Sequence, residues 1–198
     1  MTDADPRWPA LPLEAWEPTR ATLHMWMQIV GKVRLALSPY LNHWWQVPLY
    51  VSPRGLTTSP IPAGGESFEM VFDFLAHALR IEKSDGGTKA IPLAPRPVAD
   101  FYKEVMAALD SLGIAVRIWT MPVEIAAPIP FDQDRTHAVY DPEYARRFWR
   151  ILLSVDAVLR EFRGRFLLRD LAGERRGGEP APDARQGEGR ALYRLRGA

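Results

Sequence analysis

The stretch SFEMVFDF, residues 67–74, decides the fold. Phe68, Met70, Phe72 and Phe74 recur at every second position, with Glu69 and Asp73 between them. Side chains of an extended chain alternate between two faces, so this spacing predicts a strand with one apolar and one polar side. The next segments repeat the pattern. LRIEK turns Leu79 and Ile81 inward, SDGG at 84–87 is a turn signal, and TKAIPL runs back from residue 88. Strands joined by tight turns, with one face apolar, predict an antiparallel meander. The period of two extends back to His43, so the whole region from 43 to 92 is expected to be strands, and IAVRIWTMPVEI (114–125) is expected to be a further one.

Helical periodicity flanks this region. In residues 19–37, Leu23, Trp26, Val30, Val33 and Leu37 form one apolar stripe, while His24, Gln28 and Lys32 form a second stripe on another face. Pro18 suits a first helical turn, and Pro39 ends the helix. A second helix is expected over 98–112, with Phe101, Val105, Ala108, Leu109 and Leu112 inward and Gly113 as its C-terminal stop. A third is expected over roughly 142–166, capped by Asp141 and carrying Tyr144, Phe148, Ile151, Val155, Leu159 and Phe162 on its apolar side. Helices segregated from a meander predict an α+β fold: a mainly antiparallel sheet of five to six strands packed by three helices.

Composition bounds the function. The 198 residues suit one domain, expected over 13–166 between a flexible arm (1–12) and a tail (167–198). The tail is rich in Arg, Gly and Pro and poor in large apolar residues, so disorder is expected there. A formal net charge of +1 argues against a dedicated nucleic-acid surface. The absence of cysteine excludes disulfides and a thiol nucleophile. No apolar run reaches the length of a membrane span, and the acidic, Pro-rich start does not read as a signal peptide, so a cytoplasmic protein is expected.

No phosphate loop, dinucleotide fingerprint, zincin pair or nucleophile elbow is present. Four groups of residues remain as candidates. His43, Trp44, Trp45 and Tyr50 in NHWWQVPLY are either a pocket wall or core packing. Arg54, Thr57 and Thr58 in RGLTTSPIP offer a bidentate anion clamp with hydroxyl donors, or a loop held by its own hydrogen bonds. His24 and Gln28, four apart on a helix, offer a general base with an orienting amide, or a polar packing stripe. Asp132, Asp134 and His137 in FDQDRTHAVYD offer a metal site, or turn and cap residues. His77 is expected to be structural or exposed. The first reading is a small-molecule-binding module with an aromatic wall. The alternatives are a metal-assisted hydrolase on the Asp132, Asp134 and His137 loop, and an interaction domain that self-associates through an uncovered apolar face.

Taken together, TLHMWMQIVGKVRLAL, NHWWQVPLYVSPRGLTTSPIP, FEMVFDFLAH, VADFYKEVMAALDSLGI and IPFDQDRTHAVYDPEYARRFWRIL resemble a family of uncharacterised bacterial proteins known as a domain of unknown function. The resemblance covers about residues 11–166 and supplies no reaction. It implies a longer chain, in which a Lys- and Cys-containing turn and a second His-bearing aromatic strand follow the third helix. Here an Arg/Gly/Pro segment stands in that place, as a one-base slip in a GC-rich gene would produce. The resemblance thus implies that the third helix has lost part of its cover.

Overall fold

A computed structural model describes residues 5–173. The chain divides into two compact units, residues 1–158 and 159–198. The fold described here is that of the first. Of the second, the described part is the helical run that continues to Gly173.

Helix α1 spans Leu13–Leu37. It starts six residues before the expected boundary, because Pro18 costs only the one bond that Glu14 would have accepted. Against that loss, the first turn buries Trp16, whose ring stacks on Phe148 at 5.2 Å. A short 3-10 turn, Asn42–Trp44, follows. Six strands come next: β1 (Tyr50–Ser52), β2 (Gly55–Thr57), β3 (Ile61–Ala63), β4 (Glu66–Asp73), β5 (Ala78–Lys83) and β6 (Thr88–Pro92). Helices α2 (Val98–Ser111) and α3 (Pro142–Gly173) complete the fold.

The sheet is antiparallel throughout, in the order β1-β2-β4-β5-β6. Strand β4 is its hub. One edge of β4 pairs with β5 along its length, and the other is shared by β2 at residues 71–73 and β3 at residues 66–68. Thr58 fills the gap between those two short strands: its N–H donates to Met70 O and its Oγ1 accepts from Met70 N, both at 3.0 Å. The expected inward set of Phe68, Met70, Phe72 and Phe74 is fully buried, and it joins residues of all three helices in one core. Trp26 lies at the centre of the helical side, stacked on Phe101 at 4.5 Å and against Tyr140 at 5.5 Å.

Three expectations are corrected. The strand region begins at Tyr50 and not at His43, because residues 42–45 wind into a turn. Residues 114–125 form no strand. Ile114, Val116 and Ile118 do alternate with exposed Ala115, Arg117 and Trp119, so the period of two is real. No ladder forms, because backbone groups there bond elsewhere: Ile114 N–H to Leu109 O, and Val123 N–H to the Gln28 side chain. Finally, α3 continues past its expected end at about 166 to Gly173, through the first residues of the expected tail. The remainder of that tail, 174–198, lies outside the described residues.

The expected flexible arm is tied down where it is described. Arg7 O accepts from Ser154 Oγ at 2.7 Å, and Ala10 O accepts from Arg147 Nη1 at 3.2 Å, so the arm runs along α3. On α3, Val155, Leu159 and Phe162 are all exposed. Among the described residues, no helix is long and apolar enough to cross a membrane.

Candidate binding site

The loop FDQDRTHAVYD is a joint between helices. Buried Asp134 accepts from the N–H groups of Thr136 and His137 through Oδ1, and its Oδ2 lies 2.6 Å from His137 Nδ1. The carbonyls of Asp134 and His137 then accept from Ala99 N–H and Val98 N–H, which cap the start of α2. Val139 and Asp141 donate their N–H groups to Thr22 and Thr19 of α1. Asp141 Oδ1 accepts from Glu143 and Tyr144, as expected of the N-cap of α3. Asp132 is exposed and takes no part. Among the described residues, no three His, Cys, Asp or Glu side chains are placed to hold a metal ion. The spacing that resembled a ligand set serves to satisfy backbone donors.

The RGLTTSPIP segment is likewise occupied with structure. Arg54 Nε donates to Asp73 Oδ2 at 2.6 Å, while Asp73 Oδ1 accepts from Leu75 and Ala76 N–H. Burial pushes the Asp73 carboxyl up, but Arg54 and those two N–H groups outweigh it and hold the carboxyl below its ordinary range. Thr58 is wholly buried, and its hydroxyl donates to Ser59 O. The Thr57 hydroxyl donates to Glu69 and accepts from Ser59 N–H. Only the exposed part of Arg54 faces solvent.

His43, Trp44 and Trp45 are neither core nor pocket wall. His43 and Trp44 both adopt left-handed backbone, at φ 54° and 59°, which an extended reading could not anticipate. The turn is held by Gln46, whose buried Oε1 accepts from Leu41 N–H at 3.0 Å. Trp44 and Trp45 are turned outward, 58% and 63% exposed, with Tyr40 edge-on to Trp44 at 4.9 Å. Tyr50 is also exposed, and its ring covers the buried Arg34 guanidinium at 5.2 Å. Arg34 Nη1 donates to Pro48 O.

The stripe His24, Gln28 and Lys32 is different. Gln28 reaches across to the loop after α2, where its Oε1 accepts from Val123 N–H and its Nε2 donates to Val123 O, both at 2.9 Å. This two-point bond fixes the amide's orientation and leaves an N–H for His24 Nε2, 3.2 Å away. A ring nitrogen capped by a donor is poorly placed as a general base, since its lone pair is already engaged. Burial, helped by the Arg20 charge, also lowers the His24 pKa and keeps the ring neutral. His24 borders a small cavity of about 300 Å³ beside Trp16 and Phe148.

By holding Val123, Gln28 closes one side of a larger cleft of about 610 Å³. Its floor is α1 from Met27 to Leu35, with Gly31 facing Val47. One wall is Val47, Leu49 and Val51; the other is Trp119 and Val123. Alternation explains the first wall: residues 47, 49 and 51 face the cleft, while Pro48 and Tyr50 face Arg34. Lys32 is the one cationic side chain lining this apolar space. Its Nζ stands 4.7 Å from the Trp119 ring centre and 6.0 Å from that of Phe131. Burial lowers its pKa.

A family model described as "Family of unknown function (DUF5996)" matches residues 8–170. The chain belongs to this family. No curated protein and no solved structure is found to match it. In this DUF5996 chain, the family match spans all three helices through residue 170, the whole sheet and every residue of the cleft.

Of the residues singled out from the sequence, the cleft gathers Gln28, while His24 sits at its smaller neighbour. It leaves out His43, Trp44, Trp45, Tyr50, Arg54, Thr57 and Thr58. Two central residues were not marked as site residues. Lys32 was visible as the third member of the polar stripe at 24, 28 and 32, and a lysine embedded between apolar positions was the available signal. Trp119 lay in an expected strand, and nothing local announced that its backbone would stay unpaired.

Proposed function

We propose that this DUF5996 chain is a small-molecule-binding module whose site is the cleft between α1, residues 47–51 and the Trp119–Val123 segment. The reading keeps the aromatic-lined pocket expected from the sequence and moves it from the Trp44 turn to Trp119. The observation that carries it is the cleft itself. Its volume lies in the range of ligand sites, its walls are apolar, and a few polar groups stand at defined points, which is the usual composition of such sites. The Gln28–Val123 bonds support it further, because they fix one wall of the cleft against α1.

The test uses the uncharged dye N-phenyl-1-naphthylamine, whose fluorescence rises in an apolar site. The native chain is expected to bind it saturably at micromolar concentration. Leu35→Trp and Val51→Trp, which fill the cleft from opposite sides, are expected to reduce the affinity at least tenfold with an unchanged circular dichroism spectrum. Leu35 is exposed enough for its variant to fold even where Val51→Trp does not. Absence of saturable binding, or binding untouched by Leu35→Trp, defeats the proposal.

A further inference from the structure

Lys32 is an odd choice for an apolar wall. A solvated ammonium has no reason to be drawn toward methyl groups, and each step of desolvation disfavours its charge. Lys32 is half-buried, and a cation drawn part-way out of water normally leans toward a carboxylate. Among the described residues, no carboxylate stands within ion-pairing distance of Lys32. Its ammonium faces two rings, Trp119 at 4.7 Å and Phe131 at 6.0 Å. A ring face is a weak substitute for an anion, because it offers a quadrupole and no acceptor for the three ammonium N–H groups. The other polar group of the cleft, the Gln28 amide, is already committed to Val123 and His24. The nearby buried cation Arg34 is turned away beneath Pro48 and Tyr50. The cleft therefore presents one unmatched positive charge in apolar surroundings.

We infer that Lys32 makes the cleft selective for small molecules bearing a single carboxylate on an apolar body, the carboxylate replacing the Trp119 ring as the partner of the ammonium. This rests on the cleft being a ligand site, as proposed above. One point charge without a second cation or an array of backbone donors suits a monoanion better than a phosphate ester, which favours a bidentate guanidinium or a nest of N–H groups. Trp119 is 67% exposed on a segment without strand pairing, so its ring also offers an apolar face to the ligand body.

The decisive measurement is displacement of N-phenyl-1-naphthylamine by decanoate and by decan-1-ol, which share a chain and differ in charge. The native chain is expected to release the dye at a decanoate concentration at least tenfold below that of decanol. In Lys32→Met the two concentrations, each referred to that variant's own dye affinity, are expected to fall within about twofold of each other. Lys32→Arg, which keeps the charge, is expected to keep the preference. Equal displacement by acid and alcohol in the native chain, or a preference that survives Lys32→Met, overturns the inference and leaves the cleft standing. Failure of the dye to bind at all removes both readings together.

Discussion

At Gly55 the backbone of β2 runs closer to β4 than any other residue type permits. A Cβ built there would stand 1.7 Å from the Phe72 carbonyl oxygen, at the end of the β2–β4 ladder where Gly55 faces Asp73. Neither partner can yield, since Phe72 is core and Asp73 is anchored by Arg54 and two N–H groups. Gly55→Ala is expected to lower stability by about 3 kcal/mol or more, read as a fall in the urea midpoint. A loss below about 1 kcal/mol would mean that the β2–β4 pairing is looser than described. The same residue scale shows why the candidate site was only partly legible. Asp134, His137, Thr57 and Thr58 have the right chemistry for ligands, but their donors and acceptors are consumed by their own loops and, for the two threonines, by strand β4. Sequence spacing reports which groups are near one another and is silent on whether backbone N–H groups have already claimed them.

Helices and core strands were legible because their signal is periodic and summed over many residues. The stripe of α1 and the alternation of β4 each place four or more side chains into one core, and no local event can redirect them. The segment 114–125 had the same alternation but not the same fate, because a strand also needs a neighbouring edge, and that is a property of the whole sheet. The Trp44 turn was illegible for the opposite reason. Two successive non-glycine residues in left-handed backbone are set by Gln46 and the turn carbonyls, against local preference. Helix α1 offers a cleaner test of elemental propensity at Gly31, in its interior. A Cβ there meets only Val47 Cγ1 at 3.6 Å, an ordinary contact. Gly31→Ala is therefore expected to stabilise the protein by about 0.5–1 kcal/mol in thermal or urea unfolding, through the lower entropy of the unfolded chain and the better helix propensity of alanine. A destabilised variant would show that the cleft floor has no room for a methyl group.

On the scale of the whole molecule, the cleft and the stability of the fold are coupled through Lys32. Its pKa is lowered in the folded protein by burial, so folding places a cost on the charged form that the unfolded chain, titrating near 10.5, does not bear. At neutral pH both states are protonated and the cost is present in full. Between the lowered folded pKa and 10.5 the unfolded state holds more protons, so this contribution makes stability rise with pH, and above 10.5 the cost is gone. Lys32→Met removes the charge and keeps the stem. With the cleft empty it is expected to be more stable than the native chain at pH 7, by about 0.5–1 kcal/mol, because the ammonium keeps partial contact with water and its penalty is modest. The advantage should shrink as pH rises toward 10.5, since only the native chain titrates there. Comparing the two chains at each pH cancels the other ionisable groups. Saturating decanoate should reverse the order at pH 7, because the anion stabilises only the chain that retains its ammonium. A residue that weakens the empty protein and strengthens the filled one is retained for the ligand. If the variant is less stable at pH 7 with the cleft empty, Lys32 is a structural residue, held in place by the faces of Trp119 and Phe131.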